Sequence, residues 1–226
     1  MDLSKLEKSI SYEFKNKDLL KEALTHRSYL NENTRWKLPH NERLEFLGDA
    51  VLELAITESL FEKFPKEPEG KLTTLRAALV NYQMLAKLSK QIELEKFLLM
   101  SKGEAKDTGR AREVILANAM EALIGSIYLD SGYEEAQKFV TTAILPEIDE
   151  VLQKGLYRDP KSLLQERSQA ESKVTPVYKL ISEKGPDHKK IFTVGVYLDN
   201  EEIAVGEGLS KQDAEVEAAR KALEKL

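Results

Sequence analysis

The chain has 226 residues, 42% hydrophobic and 32% charged, with a formal charge of -5. That length suffices for one large or two small cores, and the polarity is too high for a membrane protein. It contains no cysteine and three scattered histidines, which excludes a disulfide framework, a thiolate nucleophile, a zinc-thiolate site and a His-rich centre, so any catalysis must rest on carboxylates.

Residues 1–14 alternate charged and apolar side chains without the apolar core or small-residue cleavage site of a secretory signal, so a cytoplasmic protein is expected. From Asp18 to about Ile148 apolar residues recur every three or four positions: Leu19, Leu20, Ala23 and Leu24, then Leu72, Leu75, Ala78, Leu79 and Leu85. This spacing predicts a helical region. Breaks are expected at Leu38-Pro39-His40, Pro65 to Gly70, Gly103 to Arg110 and Ser131-Gly132. After Lys154-Gly155 the pattern changes. Asp159-Pro160 starts a short helix, an N-cap followed by proline at the first helical position. Three strands are predicted next, in Val177 to Ile181, in the alternating Phe192, Val194, Val196 and Leu198, and around Ile203 and Val205, with Asp199-Asn200 turning the last hairpin. Ser210 caps a final helix, giving the order α-β-β-β-α.

Glu45 and Asp49 lie four apart on one face of a predicted helix, and Gly48 beside them costs about 1 kcal/mol relative to alanine in a helix, which implies a close backbone approach. The run Val114 to Gly125 is apolar nearly all round yet carries Asn118 and Glu121, three apart. A buried carboxylate must be paired, hydrogen-bonded or metal-bound. If the two helices pack through Gly48 and Gly125, four oxygen-bearing side chains converge on a site suited to magnesium, a hard cation that polarises phosphate and activates water. The periodicity equally allows a solvated Glu45/Asp49 face and an ion pair of Glu121 with Arg43 or Arg76.

The run Asn41-Glu42-Arg43-Leu44-Glu45-Phe46-Leu47-Gly48-Asp49 resembles, without a gap, the signature of the ribonuclease III family. The resemblance extends through residues 23–29, 75–81 and 121–130, and covers nearly the whole chain. It implies a multidomain protein: an all-α ribonuclease III nuclease domain at residues 1–152, a linker at 153–158, and an α+β double-stranded-RNA-binding domain at 159–226. It further implies a homodimeric, metal-dependent endoribonuclease that cuts double-stranded RNA to 5′-phosphate and 3′-hydroxyl ends. Glu45, Asp49, Asn118 and Glu121 would be the catalytic and metal-binding cluster for Mg2+, or Mn2+ in its place. Neither a small-molecule cofactor nor a membrane partner is expected, and Phe46 is expected at the dimer interface, where its alternative role is core packing. Processing of ribosomal RNA precursors and of other structured transcripts, messenger and transfer RNA among them, is the implied role. Asn118 departs from the family's aspartate and brings no charge. A duplex-RNA-binding protein with an impaired metal site is therefore the alternative, and an acidic interaction scaffold the third reading.

In the C-terminal domain the resemblance places Gln165, Glu166 and Gln169 toward ribose hydroxyls across the shallow minor groove. It places His188 at a second minor groove, while Ser210 and Lys211 at the N-terminus of the last helix would meet phosphates across the major groove between. Gln212 stands where the family often has a basic residue, so Lys189, Lys190 and Lys211 must carry more of the electrostatics. Gly206-Glu207-Gly208 opens like a dinucleotide-binding loop, but the third glycine and the βαβ alternation are absent.

Overall fold

The helical periodicity of the N-terminal two thirds is realised as α1 (Ser4–Ser9), α2 (Lys17–Ala23), α3 (Arg27–Glu32), α4 (Glu42–Lys63), α5 (Glu69–Val80), α6 (Tyr82–Gln91), α7 (Arg110–Ser131), α8 (Tyr133–Ala143) and α9 (Ile148–Gln153). The computed structural model describes residues 2–106, 108–185 and 190–225. The chain divides into two units, Met1–Tyr157 and Arg158–Leu226.

In the first unit α7 is the axis, packed against α2, α4, α6 and α8. Ile115, Leu116, Met120, Leu123, Ile124 and Ile127 are buried along it, which is why it is apolar almost all round. It is the one helix among the described residues long and apolar enough to cross a membrane, and that apolar surface forms the core. Gly132, at φ 87°, stops α7 where a left-handed residue is required.

Two expected features of the helical region differ. Gly70 lies inside α5, because the break ends at Pro68, which N-caps that helix. The run from Leu72 to Leu85 is two helices, divided at Asn81. Its backbone is extended at ψ 159°, its amide donates to the Ala78 carbonyl at 2.9 Å, and its side-chain oxygen accepts from the Met84 N–H at 2.9 Å. One asparagine thus ends α5 and caps α6, a local competition that apolar spacing does not register.

The second unit has the expected order: α10 (Pro160–Glu171), β1 (Val177–Lys184), β2 (Ile191–Leu198), β3 (Glu201–Gly208) and α11 (Lys211–Leu223). The sheet is antiparallel with β2 central. Asp159 accepts from the Ser162 N–H at 2.9 Å to start α10, and Asp199 takes the left-handed turn position at φ 55°. Leu164, Val196, Ala204, Ala218, Ala219 and Ala222 form the core.

Gly206 and Gly208, whose likeness to a dinucleotide-binding loop the sequence itself argues against, lie at the end of β3. A Cβ on Gly206 would stand 2.2 Å from the Ala218 nitrogen, and one on Gly208 would stand 2.5 Å from the Ala214 nitrogen. These glycines let α11 lie against the strand.

Candidate active site and RNA-binding surface

The carboxylates meet because two helices touch at backbone distance. A Cβ on Gly48 of α4 would lie 1.7 Å from the Glu121 carbonyl oxygen of α7, and one on Gly125 would lie 2.3 Å from the Leu44 carbonyl oxygen. This contact fixes Glu45 and Asp49, one turn apart on α4, against Asn118 and Glu121, one turn apart on α7.

Asn41 anchors the entry to α4. It is 3% exposed, its N–H donates to the Thr25 carbonyl at 2.9 Å, its side-chain amide donates to Ala23 at 3.3 Å, and its carbonyl accepts the Glu45 N–H at 2.8 Å. The Thr25 segment is tied in turn to Leu99: the His26 N–H donates to the Leu99 carbonyl at 2.8 Å, and the Leu99 N–H donates to Leu24 at 2.8 Å. Asn41 is a positioning residue that sequence reasoning missed, because its partners become neighbours only in the fold. The available signal was a polar residue at the mouth of an apolar helix.

Burial pushes the Glu121 carboxyl up to about 8, and the charges of Asp49 and Glu45 add to the rise. Glu45 is also raised, first by burial and then by Glu42; the Asn118 amide, donating to the Glu45 carboxylate, opposes that rise, and Asp49 adds to it. Asp49 is exposed at the rim. Among the described residues no cation pairs with Glu45, Asp49 or Glu121. Arg76, the partner considered for Glu121, binds Glu53 at 2.7 Å and Thr57 at 2.9 Å instead. The charges of Asp49 and Glu45 both disfavour ionisation of Glu121, and among the described residues no group of three or more His, Asp or Glu side chains is gathered closely enough to hold a metal ion. Partly desolvated carboxylates whose proton affinity is raised, as Glu121 and Glu45 are, form an environment in which a hard divalent cation can replace a proton. The chemistry of these oxygen donors, though not their spacing as they stand, suits such an ion.

Phe46 projects from the same helix and is 82% exposed; Leu54 and Phe61 further along α4 are 50% and 72% exposed. With Ala50 and Thr57, also exposed, they line one helical stripe. In this chain alone, Phe46 is not a core residue.

In the second unit Gln165, Glu166 and Gln169 lie exposed on α10, where Glu166 is ion-paired with Arg158. Ser210 caps α11 by accepting from the Asp213 N–H at 3.0 Å, and Lys211, the first residue of that helix, is exposed. His188 and Lys189 lie outside the described residues.

An all-helical unit that brings acids together from two touching helices, joined to an α-β-β-β-α unit, defines a class: a nuclease-type domain carrying an RNA-binding module. A ribonuclease-III-like family model matches residues 16–148, and a double-stranded RNA binding motif matches residues 160–226. The chain is 45% identical to ribonuclease 3 of Nitratiruptor sp., over 99% of its own length and 96% of the relative's. It is 46% identical to ribonuclease 3 of Carboxydothermus hydrogenoformans, over 100% and 96%. The nuclease domain of ribonuclease III from Campylobacter jejuni, a protein described by its region of dimer formation, superposes with a TM-score of 0.56 at 46% identity, over 63% of this chain and 98% of that one. The chain belongs to the ribonuclease III family and is a double-strand-specific endoribonuclease.

Proposed function

We propose that the helical unit hydrolyses the phosphodiesters of duplex RNA in a divalent-cation-dependent reaction, with Mg2+ the natural ion and Mn2+ able to substitute, leaving 5′-phosphate and 3′-hydroxyl ends. The observation that carries this reading is the Gly48–Gly125 contact, which sets the part-buried, unpaired Glu121 beside Glu45 and Asp49. Glu45, Asp49 and Glu121 would hold the ion, and Asn118 would orient Glu45 through its amide. A bound divalent ion supplies Lewis-acid polarisation of phosphate and activation of water. The chain supplies placement. Asp49 presents its carboxylate at the exposed rim, where RNA arrives, while Glu121 keeps a proton until an ion displaces it. Below pH 8 that proton competes with the ion, so apparent affinity for Mg2+ should weaken as pH falls.

The C-terminal unit would hold the duplex by shape and backbone, through Gln165, Glu166 and Gln169 on α10 and Ser210 with Lys211 at the start of α11. Cytoplasmic processing of ribosomal RNA precursors and other structured transcripts is the proposed role. The test is incubation of a labelled perfect duplex and its single strand with Mg2+ or with chelator. Cutting of the duplex alone, and only with Mg2+, is the expected result; duplex binding without cutting, restored by Asn118→Asp, would show that the neutral side chain disables the site.

The exposed α4 stripe supports a homodimer in which each subunit cuts one strand. An aromatic presented to solvent at this scale fits an interface anchor, and such anchors contribute about 2 kcal/mol or more on truncation. Phe46→Ala should therefore raise the dimer dissociation constant on the order of 30-fold by sedimentation. An unchanged constant would remove Phe46 from the interface.

A further inference from the structure

Two lysines from separate elements meet one carboxylate. The Lys190 ammonium, just before β2, stands 3.4 Å from one oxygen of Glu183 on β1, and the Lys211 ammonium at the start of α11 stands 3.6 Å from the other. Glu183 therefore receives two cations on two oxygens beside the N-terminal end of a 13-residue helix. That is the arrangement in which a phosphate would present its two free oxygens.

The surrounding field makes this pairing matter. The unit Arg158–Leu226 holds twelve Lys and Arg against thirteen Asp and Glu, so it has no excess positive charge with which to draw a polyanion. Its attraction for RNA must come from local clusters, and this cluster is already neutralised in part from within. An exposed ion pair contributes little to the fold, so it can be exchanged for another anion at small cost.

We propose that Glu183 is an intramolecular competitor of RNA phosphate: it occupies Lys190 and Lys211 in the free protein and is displaced when duplex RNA binds, which sets the affinity of the C-terminal unit below what its lysines would otherwise give. The proposal rests on the reading of Lys211 as a phosphate contact. It assigns Glu183 a role opposite to a binding residue, since its loss strengthens the complex.

The experiment is a binding titration of the full chain with a labelled RNA duplex of about 20 base pairs in chelator, so that no cutting occurs, across a range of salt. Glu183→Gln is expected to bind on the order of 5-fold tighter at low salt, the gain fading as salt screens the charges. The log–log salt slope should steepen by about 1, because one more phosphate contact releases counterion. Glu183→Ala should reproduce the gain and Glu183→Asp should not, and Lys211→Ala should remove most of it. Unchanged or weaker duplex binding by both neutral variants, with the wild type still binding, overturns the competitor role and would instead make Glu183 an organiser of the two lysines. Failure of the wild type and variants alike to bind duplex would fell the RNA reading of this unit, and the competitor role with it.

Discussion

Glu121→Gln is expected to lower the single-turnover cleavage rate on the order of 10³-fold or more, the scale of losing a charge that acts at the reacting phosphate, while duplex binding changes less than about twofold, because phosphate contacts elsewhere carry affinity. A second effect has the opposite sign. The Glu121 carboxyl titrates near 8 in the fold, against an ordinary value of 4.5. The folded state therefore favours the protonated acid. That contribution is complete below pH 4.5, and it is lost progressively as pH rises through 8. Metal-free wild-type protein should thus lose stability across that range. Glutamine, neutral throughout, avoids the loss, so above pH 8 in chelator the variant should be more stable by roughly 1–2 kcal/mol, a few degrees in Tm. Mg2+ should reverse the order, since an ion that binds only the folded wild type stabilises it alone. Thermal melts at pH 5 and pH 9, each with chelator and with Mg2+, measure all of this. Equal melting of the two proteins in chelator at pH 9 would mean that Glu121 is neither desolvated nor repelled by Asp49 and Glu45. Undiminished cleavage would take Glu121 out of the reaction.

What could be read from sequence had local causes. The change of apolar period from about 3.6 to 2 after Gly155 separates helical from strand-bearing residues, and the Glu45/Asp49 and Asn118/Glu121 spacings place each pair of oxygen-bearing side chains on one face. Gly48 was legible because a glycine inside a helix costs free energy that some contact must offset. What was not legible depended on partners distant in sequence or on a single side chain. Asn81 divides one apolar run into two helices by bonding its own neighbours' backbone. The sequence could exclude a dinucleotide loop at Gly206 and Gly208, but only the approach of α11 shows what the glycines do, which is to make room for Ala214 and Ala218. Asn41 and Glu183 carry no periodic signal, since their partners, Thr25 and Ala23 for the one, Lys190 and Lys211 for the other, come from other elements.

Gly48→Ala should be strongly destabilising, because Gly48 is the glycine whose added methyl meets backbone at the shortest distance among the described residues. Its new carbon would sit 1.7 Å from the carbonyl oxygen of Glu121 and 2.8 Å from the nitrogen of Gly125, both backbone atoms that no rotamer change can move. The helices must separate, and they are the two that carry the acids. Overpacking a core costs about 1–3 kcal/mol where side chains can yield, so a backbone collision should cost about 3 kcal/mol or more. Alanine's better helix propensity returns less than about 1 kcal/mol of that. The control is Gly70→Ala, also within a helix, where a Cβ would meet nothing within 4 Å. There the propensity gain stands alone, and stability should rise by up to roughly 1 kcal/mol. Chemical denaturation of the two variants separates the effects: Gly48→Ala falls and Gly70→Ala rises. If Gly48→Ala folds with near-normal stability but cuts slowly, the helices have shifted without unfolding, and the carboxylate spacing is the sensitive quantity. If it folds and cuts normally, the backbone contact is not what sets the site.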